Sequence, residues 1–452
     1  MAPLKVVVVG GGLAGCLLAN GLHNNGVSVT VYERDPADLK REGYQIRLGE
    51  SAMTGFQACL SEEHIARIVE KFGQSAGATS TAPSLYNSRF QQVLDLTSLP
   101  SYSRSWAINR VVLRNILASP LEEAGLLQYG KKFTHYEICD QGQEGEKVRV
   151  HFADGSIEEC DILVGADGSG SMVNREIGLN NIVTLDTHLA FLGKGSVPLS
   201  RLHALPSQLQ KGPIMTFSKR ASFYYALYLP AAKANQPGGS NELEYDVDEA
   251  SFYWGINVSK SECNVQSAAD IPEQDRLQFC LDAVKDWAPE YRQLIRSGVE
   301  SESANIYIAP MRASTKPPAS WREEWHRKGE STKGHTRVWL LGDAVHAMQA
   351  NRGMGGNQAF HDCADLLPEL LALRDAAERN ALSNDSVQEA CFRYESTMMD
   401  RAFTWVKKSG GTSAVTLDVD GYAGTAIYLV GKLVVPLLVG ADWVMRQFKG
   451  SK

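Results

Sequence analysis

Residues 5–15 read Lys-Val-Val-Val-Val-Gly-Gly-Gly-Leu-Ala-Gly, and the fold class is decided there. Four consecutive valines without alternation are the pattern of a parallel strand buried on both faces. Glycines 10, 12 and 15 then make a Gly-x-Gly-x-x-Gly turn. Gly10 permits the tight turn, Gly12 lets a pyrophosphate approach the backbone, and Gly15 lets the next helix pack closely on the strand. Leu13 to Asn24 is compatible with that helix, Gly26 stops it, and Val27 to Tyr32 supplies a second strand. The helix N-terminus offers free N–H groups and the positive end of a dipole to phosphate. Glu33 closes the second strand, where a carboxylate accepts both hydroxyls of an adenosine ribose and repels a 2′-phosphate. This pocket therefore favours FAD or NAD over NADP.

Working outward, two distant turns repeat the theme. Strand Arg337–Leu341 runs into Gly342-Asp343-Ala344-Val345-His346, followed by Gly353-Met354-Gly355-Gly356-Asn357 at the start of a helix. Asp343 stands at the carboxyl end of a strand, the edge where α/β sheets bind ligands, and suits the hydroxyls of a ribityl chain. Gly355, Gly356 and Asn357 bring backbone N–H groups to a helix start whose dipole favours negative charge on a reduced flavin. His346, three residues past the strand end, reads as structural. Gly165-Ala166-Asp167-Gly168 closes a third strand and puts Asp167 at the same edge. Arg110 falls in the first turn of a helix, against the macrodipole, which points to a partner such as a pyrophosphate or a flavin edge.

The middle of the chain changes character. Val183–Phe191, Pro213–Phe217, Ser222–Leu229 and Ser251–Val258 are aromatic and β-branched, separated by polar loops such as Asn235–Ser240. They predict an inserted mixed or antiparallel sheet. A helix is expected over about Pro272–Ile295, a loop over Pro317–Lys333, and helices beyond Glu378. The whole is an α/β fold, α+β overall: a Rossmann-like domain with an inserted mixed β-sheet and C-terminal helices. We expect a discontinuous cofactor domain (1–75, 101–180 and 334–385), a substrate-binding sheet domain (76–100 and 181–333) and a helical region (386–452).

Composition narrows the class. The 452 residues are 44% hydrophobic and 21% charged, an ordinary globular balance, and the net charge of −7 argues against a nucleic-acid binder. None of the eight cysteines forms a Cys-x-x-Cys pair, so no metal is expected and the thiols read as buried in a reducing compartment. The short apolar run Leu4–Val9 reads as a strand and not a signal peptide. We expect a cytoplasmic protein. Ala423–Met445 is mostly apolar and is expected to be a helix pair packed on the body; contact with a membrane surface is the less favoured alternative.

Together, Gly10-x-Gly12-x-x-Gly15 with Glu33, Ala166-Asp167-Gly168, and Gly342-Asp343 with Gly353-x-Gly355-x-Asn357 resemble the three fingerprints of class A flavoprotein monooxygenases. That is the family of p-hydroxybenzoate hydroxylase and of many natural-product hydroxylases and epoxidases. Gly43-Tyr44-Gln45-Ile46-Arg47 and Ile108-Asn109-Arg110 resemble its flavin-contacting segments, which adds Arg47 to the candidate site. The resemblance implies non-covalent FAD, with NADPH or NADH as co-substrate. It also implies capture of O2 as a flavin C4a-hydroperoxide and oxygen transfer to an electron-rich small molecule, of the secondary-metabolite kind. No second Gly-x-Gly-x-x-Gly follows a strand, so no separate NADPH domain is expected. An FAD oxidoreductase without oxygen insertion and a non-catalytic flavoprotein are the alternatives.

The family usually has proline where Ala350 stands, and often arginine where Asn174 stands. A looser turn at Ala350 is the expectation. Phe223, Tyr225, Phe252 and Trp254 are pocket candidates that read equally as core. His188 and Tyr224 are possible acids or bases, with nothing in the sequence to select either.

Overall fold

In the computed structural model the described residues are 3–37, 45–73, 82–96, 105–140, 145–196, 205–229, 251–296, 306–413, 417–422, 424–434 and 437. Five parallel strands form the first sheet, in the order Val338–Leu340, Ile162–Gly165, Lys5–Val9, Ser28–Tyr32, Leu127–Gln128. Val6, Val7 and Val8 are fully buried, because helix Leu13–Asn24 packs on this sheet and so does an outer three-stranded antiparallel sheet, Ile157–Cys160, Lys147–Phe152 and Phe133–Cys139. The chain leaves the first strand to one side and returns on the other, beside Ile162–Gly165. The strand order thus reverses at the end of Lys5–Val9, which is where an open α/β sheet leaves a crevice.

A second sheet has seven strands, in the order Tyr307–Ile308, His188–Ser196, Ser251–Ser259, Ala221–Tyr228, Ile214–Phe217, Ser84–Tyr86, Gln92–Asp95. It is antiparallel except where Ile214–Phe217 runs parallel to Ser84–Tyr86. Helices Arg276–Ala283 and Pro289–Arg296 cover one face and close a second core around Trp254, Tyr225 and Tyr291. A two-stranded ribbon, Gln45–Leu48 with Trp106–Asn109, lies between the large sheets. Asn109 ties it to the second sheet through Ser251 at 3.0 Å.

Several expected elements are subdivided. The Val183–Phe191 strand is two, Ile182–Thr184 and His188–Ser196, in different sheets. The Pro272–Ile295 helix breaks between Ala283 and Pro289. Part of the Pro317–Lys333 loop is the helix Trp321–Arg327. Pro120 does not end its helix, which continues to Glu123. The Ile116 carbonyl, which Pro120 has no N–H to serve, instead lies 3.1 Å from a ring nitrogen of His64. The Asn235–Ser240 loop and Gly43-Tyr44 lie outside the described residues.

Helix Asn384–Lys408 sinks Val387, Cys391, Tyr394, Met398 and Phe403 into the first core. Residues 424–434 are helical, and Gly431 abuts Leu94 on the edge of the second sheet. The expected packing is only partial there, since Leu429, Val430 and Leu433 stay 54–71% exposed. Among the described residues no helix is long and apolar enough to cross a membrane. All eight cysteines are free thiols, six of them buried.

Candidate functional site

The first glycine turn is shaped by backbone crowding. A Cβ on Gly10 would lie 2.4 Å from the Ala166 carbonyl oxygen, and one on Gly15 would lie 2.1 Å from that of Gly10. The turn is therefore wedged against Ala166-Asp167, which parallel pairing of Val9 with Gly165 brings alongside. Gly12, by contrast, has nothing within 4 Å of its absent Cβ. It caps the helix Leu13–Asn24 without a side chain, so the first-turn N–H groups face open space. Glu33 is buried and accepts the Gly11 N–H at 2.9 Å and the Asp35 N–H at 3.0 Å.

Behind this turn stands Arg114, which the sequence reading did not pick out. Its Nε donates to the Gly11 carbonyl at 3.0 Å, and its charge lies close enough to act on Glu33. The signal was present: Arg114 follows Arg110 by one helical turn, on the same face.

The second turn is built differently. Asp343 is exposed on the cleft floor, yet enough protein surrounds it to raise its pKa by desolvation, an effect opposed by the charges of His346 and Arg110. Arg110 and Asp343, 233 positions apart in the chain, thus lie close enough for their charges to interact. Gly355 abuts Asp343, with its Cβ position 3.5 Å from Oδ1, and Gly356 faces open space. The helix Gly355–Glu378 starts here, and its N-cap Met354 makes no side-chain capping bond.

Asn357 and Asp167 serve the framework. The Asn357 amide accepts the Gly49 N–H at 2.7 Å and donates to the carbonyls of Arg47 and Gly353, each at 2.8 Å. Arg47 in turn donates to the Arg352 carbonyl at 3.1 Å. These bonds fasten the ribbon to the second turn. Asp167 Oδ2 accepts the N–H groups of Met172 (2.7 Å) and Val173 (3.3 Å) at the start of helix Met172–Glu176, and Oδ1 accepts the hydroxyl of its N-cap Ser171.

Ala350 does not leave its turn loose. Gln349 Nε2 donates to the carbonyls of Gly411 (2.9 Å) and Ser413 (2.7 Å), Asn351 to Ser409 (3.0 Å), and Arg352 to Lys408 (2.6 Å). The end of helix Asn384–Lys408 clamps the turn from outside. Asn174 is buried and bonds Asn181 and the Ala344 carbonyl, a structural duty.

Phe223, Tyr225, Phe252 and Trp254 are all core, at most 2% exposed. On the other face of the same strands, Tyr224 and Tyr253 have ring centroids 5.6 Å apart. Burial pushes the Tyr224 hydroxyl up to about 12, against the charge of Arg47, so Tyr224 stays protonated. His188 is lowered by burial, and its Nδ1 lies 2.9 Å from the hydroxyl of its neighbour Thr187.

One further cluster, His135, Glu137 and His151 on the outer three-stranded sheet, puts three ligand-type atoms within 4.8 Å of one another. The two imidazoles stack at 4.3 Å with planes 7° apart. Face-to-face rings cannot both aim a lone pair at one ion, and Arg149 competes for Glu137.

The cradle fits FAD by its donor set. Two helix N-termini lack side-chain caps, one beside the buried carboxylate Glu33 and the other beside the cleft-floor carboxylate Asp343. Glycines leave open space where Cβ atoms would sit, as an extended dinucleotide requires.

The comparisons agree. The FAD binding domain model matches residues 3–193 and 303–401. The FAD-dependent monooxygenase dbaB of Emericella nidulans is 26% identical over 387 residues, covering 82% of this chain and 87% of that protein. The dual O-methyltransferase/FAD-dependent monooxygenase elcB of Phaeosphaeria nodorum is 25% identical over 448 residues; 90% of this chain matches 45% of that longer protein. In fold, the chain matches Klebsiella pneumoniae HpxO, solved with FAD and uric acid, at a TM-score of 0.65. That match has 18% identity and covers 97% of this chain and 96% of the other. The chain belongs to the FAD binding domain family, within the class A flavoprotein monooxygenases. Its cofactor is FAD.

Proposed function

We propose that the chain is a single-component monooxygenase that takes hydride from NAD(P)H and hydroxylates or epoxidises an electron-rich small molecule of secondary metabolism. For hydroxylation the balance is substrate, O2, NAD(P)H and a proton giving hydroxylated product, NAD(P)+ and water. The observation that carries this reading is the aromatic face of the second sheet, Tyr224 with Tyr253, within reach of the charge of Arg47. A flat, electron-rich substrate stacks there against aromatic rings, with a protonated phenol to orient it. Relatives named kynurenine 3-monooxygenase, 6-hydroxynicotinate 3-monooxygenase and zeaxanthin epoxidase support oxygen insertion.

FAD, when bound, supplies the hydride acceptance and oxygen activation. The chain supplies the rest. The N–H groups at Gly12 and Leu13 bind the pyrophosphate, and Glu33 accepts the ribose hydroxyls. Asp343 accepts from the ribityl chain. The N-terminus of helix Gly355–Glu378 would favour negative charge on the flavin. The second sheet closes over the ribbon and keeps water out. We assign residues 1–75, 101–180 and 334–385 to FAD binding, 76–100 and 181–333 to substrate, and 386–452 to a helical region. The two separate cores support the first two.

The test is an aerobic NAD(P)H-oxidation screen over aromatic, polyketide-like and indole-like compounds under isotopically heavy O2. We expect a compound that accelerates NAD(P)H oxidation and gains one heavy oxygen atom. Faster oxidation with no label in any product would leave an oxidase or reductase.

A further inference from the structure

Beneath the second turn lies a charged cluster that the proposed reaction does not use. Asp362 and His346 are completely buried, 2.6 Å apart through His346 Nε2 and Asp362 Oδ2. The same carboxylate oxygen accepts the Gly342 N–H at 2.9 Å. Gly342 takes φ +64°, and a Cβ there would lie 2.8 Å from that of Ala359, so only glycine makes this turn. The other oxygen, Oδ1, accepts Arg401 at 2.7 Å. Arg401 reaches in from helix Asn384–Lys408 and also binds Gln358 Oε1 (2.6 Å) and Asp365 (2.7 Å).

We propose that Arg401, Asp362 and His346 are positioning residues that fix the Gly342-Asp343 turn for FAD, making helix Asn384–Lys408 a working wall of the cofactor site. This rests on the FAD reading of the cleft. Asp343 follows directly on a glycine whose N–H is held by Asp362, and Asp362 is held by a cation from another helix. His346, one turn along, binds the same Asp362 oxygen as the Gly342 N–H. The same outer helix fixes the preceding strand, since Tyr394 donates to the Leu340 carbonyl at 2.8 Å.

Charge supports it. Burial opposes ionisation of both partners, yet His346 and Arg401 hold the Asp362 carboxylate below its usual range. Burial likewise opposes the His346 imidazolium, but Asp362, and more weakly Asp343, raise it above its ordinary value. The charged groups facing His346 are thus Asp362, Asp343 and, through Asp362, Arg401. A raised histidine keeps its proton below its folded pKa and loses it as pH climbs through that value. The grip, and FAD affinity with it, should therefore fall along an alkaline limb.

The experiment measures the FAD dissociation constant across pH, and the melting temperature of the apoprotein, for the parent, Asp362→Asn, Arg401→Met and Arg401→Lys. We expect Asp362→Asn to weaken FAD at least tenfold near neutral pH and to abolish the alkaline limb, because His346 is then neutral throughout. Arg401→Met should weaken FAD severalfold and, because a neighbouring cation is removed, shift the limb to higher pH, and Arg401→Lys should restore most of both. Arg393→Ala, on the same helix as Arg401, breaks an exposed pair with Glu369 of helix Gly355–Glu378 and should change neither. If Asp362→Asn does not fold, the Arg401 pair decides alone. Lower melting temperatures with an unmoved pH limb would overturn the proposal. A parent that binds no FAD at any pH would instead defeat the FAD reading itself.

Discussion

The two glycine turns of the cleft have similar sequences and different supports. Gly10–Gly15 is shaped by steric crowding of neighbouring backbone, and its partners arrive with the adjacent parallel strand. Gly342–Asn357 is held by side chains from remote places: Arg47 in the ribbon, Asp362 a few turns along its own helix, Arg401 and the last carbonyls of helix Asn384–Lys408. A turn fixed by its own sterics is visible as a motif. One fixed by distant charges shows only its glycines.

The comparison breaks most sharply at the first turn. Gly15→Val puts side-chain atoms against the Gly10 carbonyl, a contact that backbone cannot yield to. We expect overpacking of about 1–3 kcal/mol or more in the apoprotein and complete loss of bound flavin. Gly12→Val, where nothing stands within 4 Å, should strip the flavin while the apoprotein melts within about 0.5 kcal/mol of the parent. Visible absorbance per chain and thermal melts distinguish the two. Equal damage to both apoproteins would remove the distinction between crowding and cradle.

At the second turn, Asp343→Ala should weaken FAD by about 1–3 kcal/mol, the range for a hydrogen bond to a charged group, and leave folding intact because the carboxylate is exposed. Equilibrium fluorescence titration reads this, and an unchanged dissociation constant would remove the second turn from the site. Arg114→Met tests whether the first turn also depends on a distant cation. It leaves the Gly11 carbonyl without its 3.0 Å donor, so a loss of about 1 kcal/mol in FAD affinity is expected. A loss larger than that of Asp343→Ala would mean that the two turns are supported alike.

Ala350→Pro should have the smallest effect. Gln349 is extended, with ψ at 139°, and Ala350 opens a short helix, a position proline suits. Because the side-chain anchors to helix Asn384–Lys408 already hold the turn, we expect FAD to stay bound and stability to rise by about 0.4–1 kcal/mol. Peroxide released per NAD(P)H should be nearly unchanged. A large drop in peroxide would show that the anchors leave the turn free.

Legibility in the sequence follows the same line. The valine run, the glycine spacing and Glu33 report local geometry, and they sufficed for the parallel sheet and the cleft edge. Arg110 read as a cation opposed to its helix dipole and Asp343 as a strand-end carboxylate; their proximity comes through the ribbon strand Trp106–Asn109, outside the parallel sheet. The roles of Asp167 and Asn357 were not legible, since a carboxylate or amide beside a glycine turn reads as a ligand contact whether it caps a helix or touches cofactor. The core places of Phe223 and Trp254, opposite Tyr224 and Tyr253, depend on which face of the sheet its covering helices take. His346 read as structural, and its buried partner is sixteen residues away on another element. Arg401 carries no local pattern at all.

The most direct test is a titration of the apoprotein with FAD, comparing the parent with Glu33→Gln, Asp343→Ala and the double variant. The account places these carboxylates at opposite ends of one extended ligand. It predicts one FAD per chain, weaker binding in each single variant, and losses that add in the double variant, as separated contacts do. Binding that does not saturate at one FAD per chain, or that ignores either carboxylate, would contradict a single site spanning both turns.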